Sequence, residues 1–198
     1  IGTAGFLART AINASPFLLP LMFQIGFGMN PFEAGLMLLV YMGGNLAMKS
    51  ITTRILRAWG FRRVSVVNGA LCAATLYACG VLVPGVPLWV TAPLLFLAGM
   101  VRSMNFTAMS TLAFADVADD MRPSASALAT MTQQVSLALG VALAASILGV
   151  SRALRDAEGL ALADFHVAWF FTGAMMTIAT LWSLRLEPEA GHALSQRA

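Results

Sequence analysis

Six long apolar runs dominate this chain. They cover residues 6–27, 33–52, 64–83, 88–110, 124–150 and 164–185. A helix needs about 20 mostly apolar residues to cross a bilayer, and each run is near that length. Turn residues separate several of them: Gly28-Met29-Asn30-Pro31, Pro84-Gly85-Val86-Pro87 and Met121-Arg122-Pro123-Ser124. The runs are too long for barrel strands, which read as alternating segments of about ten residues. Composition agrees. Of 198 residues, 59% are hydrophobic and 11% charged, with a mean hydropathy of +0.79. A soluble domain is about 25% charged, and 12 basic plus 9 acidic side chains do not cover a 20.9 kDa surface. A soluble enzyme, a disordered chain and a secreted disulfide scaffold are excluded. The expected fold is an all-α membrane protein, six transmembrane helices in one bundle over residues 1–186, followed by a cytoplasmic tail at 187–198. The start at Ile1, with no clear cleavage site after the first run, reads as a fragment whose beginning is lost.

Charge placement sets an expected orientation. Lys49, Arg54, Arg57, Arg62 and Arg63 cluster between the second and third runs, with no acid between Gly44 and Val64. Basic residues at helix ends mark the cytoplasmic side, so this break, both termini and the 111–123 loop are expected in the cytoplasm. The 28–32 and 84–87 loops lack Lys and Arg, as external loops do. The 151–163 loop is an exception, holding Arg152 and Arg155 beside Asp156 and Glu158. The pI of about 9.4 does not point to nucleic acid, because the basic residues sit at span ends rather than on a soluble face. Cys72 and Cys79, seven apart in one run, are about 10 Å apart along a helix, too far for a disulfide. They read as packing residues.

Polar residues at depth are the informative ones in a membrane. Arg102 lies inside the fourth run, where an unpaired Arg costs about 2.5–3.5 kcal/mol on insertion scales. It either snorkels and caps carbonyls or serves as a gating or substrate-path charge. Asn105 shares its face. Gln133 and Gln134 point in different directions from the fifth run, so at least one meets a helix or a cavity. Asn13, Pro16, Pro20 and Gln24 form a stripe in the first run, either a structural kink or a bend facing substrate. Small residues recur at Ser136, Gly140 and Ala144, and at Gly43 and Ala47, allowing close packing or sliding. No acid lies in the middle of a run, His166 stands at a mouth and His192 in the tail. These residues show no proton carrier. No metal-spaced cluster and no hydrolase motif is present, so neither a metal, a cofactor nor catalysis is expected.

Four segments resemble a known family. Gly44-Asn-Leu-Ala, with Arg57-Ala-Trp-Gly60-Phe-Arg62-Arg63, resembles the G-x-L-x-D-R-x-G-R-R loop motif of the major facilitator superfamily. Arg102-Ser-Met-Asn105-Phe106-Thr107 is similar to its Arg-containing fourth-helix motif, and Gln133-Gln134 with Gly140-Val-Ala-Leu to its fifth helix. The first run with Gln24-Ile-Gly-Phe-Gly-Met-Asn-Pro-Phe-Glu-Ala-Gly-Leu resembles the start of the C-terminal half in the fourteen-helix drug:proton antiporters. The motif's Asp has no counterpart here, while its positive cluster remains. The resemblance implies two inverted three-helix repeats, with Arg9-Thr10-Asn13 and Arg102-Ser103-Asn105 as echoes of one another. It implies the C-terminal half of a proton-coupled multidrug efflux transporter in a bacterial inner membrane. The partners would be the lipid bilayer, a missing N-terminal six-helix bundle, protons and small amphiphilic substrates, cationic ones included. Cavity residues would be Arg102, Asn105, Gln133 and Gln134, with Asn13 and Gln24. The cytoplasmic gate would comprise Gly44, Arg57, Gly60, Arg62 and Arg63. The alternatives are a facilitator for a small polar metabolite and a non-transporting or half-size protein that dimerises.

Overall fold

The computed structural model describes residues 2–59, 61–114 and 122–184, and among these every regular element is helical. The expected tail at 187–198 and most of the 111–123 loop lie outside the described residues. The first rod is broken. It consists of α1 (Gly2–Asn13), α2 (Ser15–Leu21) and a π turn at Met22–Gly26. Proline has no N–H to give the preceding turn. Pro16 and Pro20 therefore interrupt the ladder, which closes again with Phe27 N–H on the Met22 carbonyl at 3.1 Å. Five continuous helices follow: α3 (Pro31–Trp59), α4 (Phe61–Gly80), α5 (Leu88–Phe114), α6 (Arg122–Leu154) and α7 (Leu162–Ser183).

Local chemistry explains the ends. Asn30 and Glu33 cap α3 reciprocally: the Glu33 N–H donates to Asn30 Oδ1 at 2.9 Å, and the Asn30 N–H to Glu33 Oε2 at 3.2 Å. Pro31 occupies the first helical position, where its missing N–H costs nothing. Gly28 and Gly85 turn the chain with φ of +69° and +95°, a region open chiefly to glycine. The basic segment is not the loop that the sequence suggests. Helix α3 runs on to Trp59, carrying Lys49 and Arg54 on a helical rod. Lys and Arg are good helix formers, and their departure from apolarity ends the membrane run without ending the helix. At 33 residues α6 is about 50 Å long and outreaches a bilayer core. By length and apolarity together, four rods qualify as membrane spans among the described residues: Thr3–Gly26, Pro31–Thr52, Ser126–Leu154 and Leu162–Ser183. Helices α4 and α5 are long enough at 20 and 27 residues. Arg63 with Asn68, and Arg102 with Asn105, lower their apolarity.

The most extensive helix pairings are α3 with α5, α4 with α7, α1 with α7, α4 with α5, and α1 with α6. Exchange the first three rods for the last three and this set maps onto itself. Pairing α3·α5 becomes α6·α1, α1·α7 becomes α5·α4, and α4·α7 returns to itself. Such self-mapping is what paired three-helix repeats produce. Glycine sets the closest approaches. A Cβ on Gly44 would lie 1.9 Å from the Phe96 carbonyl oxygen, and one on Gly99 would lie 1.9 Å from that of Tyr41, across α3 and α5. On α6, a Cβ on Gly140 would lie 2.6 Å from the Thr10 carbonyl oxygen of α1. The Ser136, Gly140 and Ala144 stripe is thus buried inside the bundle as a packing surface. On α3 it is Gly44, not the exposed Gly43, that makes the contact.

The core lies where α1, α2, α4 and α7 meet. Trp169, Phe165, Phe23, Leu18 and Met22 are fully buried, and Trp169 Nε1–H donates to Met22 Sδ at 3.2 Å. Cys72 and Cys79 are buried free thiols in the same core. Asn68 Nδ2 donates to the Val101 carbonyl at 3.0 Å, tying α4 to α5. At the end away from Lys49, Asp164 is wholly buried and accepts from Ser151 Oγ at 2.6 Å, Arg155 Nε at 2.9 Å and the Ala161 N–H at 2.9 Å. Arg155 also reaches its second oxygen through a guanidinium N–H. These bonds raise the Arg155 guanidinium above its ordinary pKa. Arg155 is therefore held by an acid on the next helix rather than by its neighbours Asp156 and Glu158, which accounts for a cation in a loop expected to lack one.

Candidate functional site

Four helices, α1, α3, α5 and α6, surround a cavity of about 230 Å³ on one side of the bundle. Its walls are Asn13 from α1, Asn45 and Lys49 from α3, Arg102, Ser103, Phe106 and Thr107 from α5, and Gln133 and Leu137 from α6. The spacing explains the faces. Asn45 and Lys49 are four apart on α3, Gln133 and Leu137 four apart on α6, and Arg102 and Phe106 four apart on α5, so each pair shares a helical face. Among the described residues the lining holds two cations and no acid.

Arg102 is half-buried at mid-length of its helix. One guanidinium N–H reaches Asn13 Oδ1 on α1 at 3.4 Å. Its Nε finds no partner, nor do the buried Ser103 Oγ and Asn105 Oδ1. Buried polar atoms are nearly always hydrogen-bonded, and each exception calls for an explanation. Behind Arg102 is a void of about 10 Å³ among Tyr41, Cys72, Ser15 and Trp169, at the lower limit for one water. The opening therefore lies on the α3–α6 side. A second arginine links the same helices in the opposite sense. Arg9 of α1 donates to Ser110 Oγ of α5 at 3.5 Å and stacks 5.3 Å from the Phe106 ring centroid. The two arginines thus cross-link antiparallel helices reciprocally.

Of the residues singled out from the sequence, Arg102, Asn13 and Gln133 line this cavity together. Asn105 is buried on α5 beside it. Gln134 and Gln24 are exposed and do not line it. Among the gate residues, Gly44 is buried in the α3–α5 contact and Arg63 is exposed. Gly60 and the side chains of Arg57 and Arg62 lie outside the described residues. Sequence reasoning missed Asn45, Lys49, Ser103 and Phe106 as lining residues, and missed the Arg9–Phe106 stack. Lys49 was legible only as a topology signal, although its spacing from Asn45 on one helical face was visible.

A family model described as Major Facilitator Superfamily matches residues 1–198. The chain belongs to the Major Facilitator Superfamily. It is therefore a multi-pass, all-α membrane protein of a transporter family rather than an enzyme, related to multidrug resistance proteins. Its relatives include three bearing the name multidrug resistance protein MdtD. That of Pectobacterium carotovorum subsp. carotovorum (strain PC1) is 35% identical over 178 residues, covering 89% of this chain and 37% of that protein. That of Cronobacter sakazakii (strain ATCC BAA-894) is 38% identical over 182 residues, covering 90% and 38%. That of Klebsiella pneumoniae (strain 342) is 36% identical over 200 residues, covering 96% and 41%. The chain thus spans 37 to 41% of the length of these relatives.

Proposed function

We propose that this facilitator chain is the C-terminal six-helix half of a proton-coupled multidrug efflux transporter that works by alternating access. The observation that carries the reading is the cavity walled by α1, α3, α5 and α6. It is polar at mid-depth, lies on one side of the bundle, and is only one wall of a site. A second six-helix bundle supplies the other wall. Rocking of the two bundles about the midplane exposes the site to each side in turn. The intrabundle glycine contacts keep α3 against α5 and α6 against α1, so this bundle moves as a body.

In this reading Arg102, with Asn13, Gln133 and Asn105, contacts the amphiphilic substrate or orders the groups that do. The basic segment from Lys49 to Arg63 lies on the cytoplasmic side of a bacterial inner membrane, where the exposed Arg54 and Arg63 also meet anionic lipid heads. Asp164 is engaged within its own bundle by Arg155 and Ser151 and stands away from the cavity. The coupling acid belongs to the other bundle. Purified intact transporter and residues 1–198 alone, each in proteoliposomes, test the proposal. Proton-gradient-driven substrate flux is expected from the first and none from the second. Flux from the fragment would refute the two-bundle reading, and gradient-independent flux from the intact protein would refute proton coupling.

A further inference from the structure

We propose that the cavity is an anion subsite, taking the negatively charged head of an amphiphilic substrate between Arg102 and Lys49. The proposal rests on the efflux reading above and names the class of substrate it handles.

The charge inventory is one-sided. Lys49 and Arg102 both line the space, and among the described residues no Asp or Glu does. Among the described residues the one salt bridge is Arg155–Asp164, at the far end of the bundle. A cation at membrane depth is retained where something repays its burial. Arg102 has little such repayment within its own bundle: one long bond to Asn13 and an unpartnered buried Nε. Beside it, Ser103 Oγ is also unpartnered. Guanidinium presents its donors in a fork that fits a carboxylate or phosphate. The Lys49 ammonium and the Gln133 amide add donors from two other helices. Next to these polar groups, Phe106 and Leu137 give an apolar strip. A charged head against the fork and a hydrocarbon body along that strip describe an anionic amphiphile. A quaternary ammonium would face two like charges, with no acid among the described lining residues to offset them. This narrows the amphiphilic substrates, cationic ones included, that the family resemblance implies.

The test measures binding separately from transport. The intact transporter that contains this chain is placed in phosphatidylcholine nanodiscs. It is titrated with three dansyl probes of equal chain length: dansyl-aminoundecanoate, its methyl ester, and a trimethylammonium analogue. The anion is expected to bind at least about tenfold tighter than the ester, equivalent to about 1.4 kcal/mol, and the cation weakest of the three. The preference should weaken between low and high salt, since Lys49 is solvent-exposed. Lys49→Gln and Arg102→Gln should each reduce the anion-to-ester ratio, and the double variant should bring it near one. Arg152→Gln, an exposed cation in the last turn of α6, should leave it unchanged. Should Arg102→Gln fail to fold, Lys49→Gln and Arg102→Lys carry the test, the second keeping the charge while losing the fork. Tightest binding of the cation, or a ratio that survives both neutralisations, overturns the proposal. So does equal loss of all three probes, which would make the two cations structural. A lipid head has the same chemistry. If added phosphatidylglycerol abolishes anion binding, the site belongs to lipid and the substrate assignment fails. Efflux of any probe that survives such results leaves the transporter reading intact. Anion-selective binding without flux would sink that reading and not this one.

Discussion

Adding one methyl group at a series of glycines should produce effects of opposite sign, ordered by what the methyl would meet. At Gly99 the new Cβ would lie 1.9 Å from the Tyr41 carbonyl oxygen and 3.0 Å from the Asn45 nitrogen. Both are backbone atoms and neither has a rotamer to change. A comfortable carbon–oxygen contact is roughly 3.3 Å, within the range where dispersion is favourable, so α3 and α5 must part by about 1.4 Å. Overpacking a close-packed core costs about 1–3 kcal/mol, occasionally more. With backbone on both sides Gly99→Ala should reach at least the upper figure. For a chain of this size that is about 6–12 °C of melting temperature. Gly44→Ala meets the Phe96 carbonyl in the same interface and should cost as much. The double variant should cost less than the sum, because one separation of α3 from α5 accommodates both methyls. Gly140→Ala, 2.6 Å from the Thr10 carbonyl, should fall below these. Gly35 and Gly149 have nothing within 4 Å. Alanine there should be neutral or stabilising by up to about 1 kcal/mol, since it removes backbone freedom from the unfolded chain. Thermal unfolding of detergent-purified protein, followed by size-exclusion recovery after heating, reads the series. A Gly99→Ala protein that melts within 2 °C of wild type, by that same roughly 2–4 °C per kcal/mol conversion, would refute the packing argument.

Two further predictions follow from the polar groups. Asp164→Ala strands the Ala161 N–H and the Ser151 hydroxyl, each an orphan worth about 1–3 kcal/mol. Arg155→Ala leaves the wholly buried Asp164 carboxylate without its cation, a loss of about 3–5 kcal/mol, so both variants should lower the melting temperature by several degrees, and an Arg155→Ala protein that melts with wild type would contradict this. Gln133→Ala should reduce efflux in the intact transporter several-fold while Gln134→Ala leaves it near wild type, because only the first lines the cavity. A dye-efflux assay at matched expression in which the two behave alike would count against the cavity assignment.

The helices were legible because membrane burial writes itself into composition. Six apolar runs fell where six rods stand, and the Gly28 and Gly85 turns lie at the predicted breaks. Helix length was less legible. The apolar run stops at residue 52, but hydrogen bonding along α3 continues to Trp59, since solvated basic side chains favour a helix as well as apolar ones do. Pairing between distant residues was hidden. Nothing local shows that Arg155 binds Asp164 rather than Asp156, or that Gly44 rather than Gly43 meets α5, because a one-residue step turns a helix by 100° and only the neighbour's position decides which face counts. For the same reason Arg102, Asn13 and Gln133 stood out as polar residues at depth, whereas Asn45 and Lys49 joined them only once α3 was seen against α5. Gln24 and Gln134 met the same criterion of polarity within an apolar run, yet point away from the cavity.

Alternating access to the cavity is the centre of the account, and side-specific cysteine labelling measures it directly. Cys72 and Cys79 are buried, so a single Gln133→Cys in the intact transporter supplies an accessible thiol on the cavity wall. A membrane-impermeant maleimide applied to inside-out and right-side-out vesicles should label it from both sides, with the proton gradient shifting the balance between them and substrate protecting it on each. Val150→Cys, on an exposed apolar position of the same helix, should show neither behaviour. Labelling of Gln133→Cys from one side only, insensitive to gradient and substrate, would contradict the account.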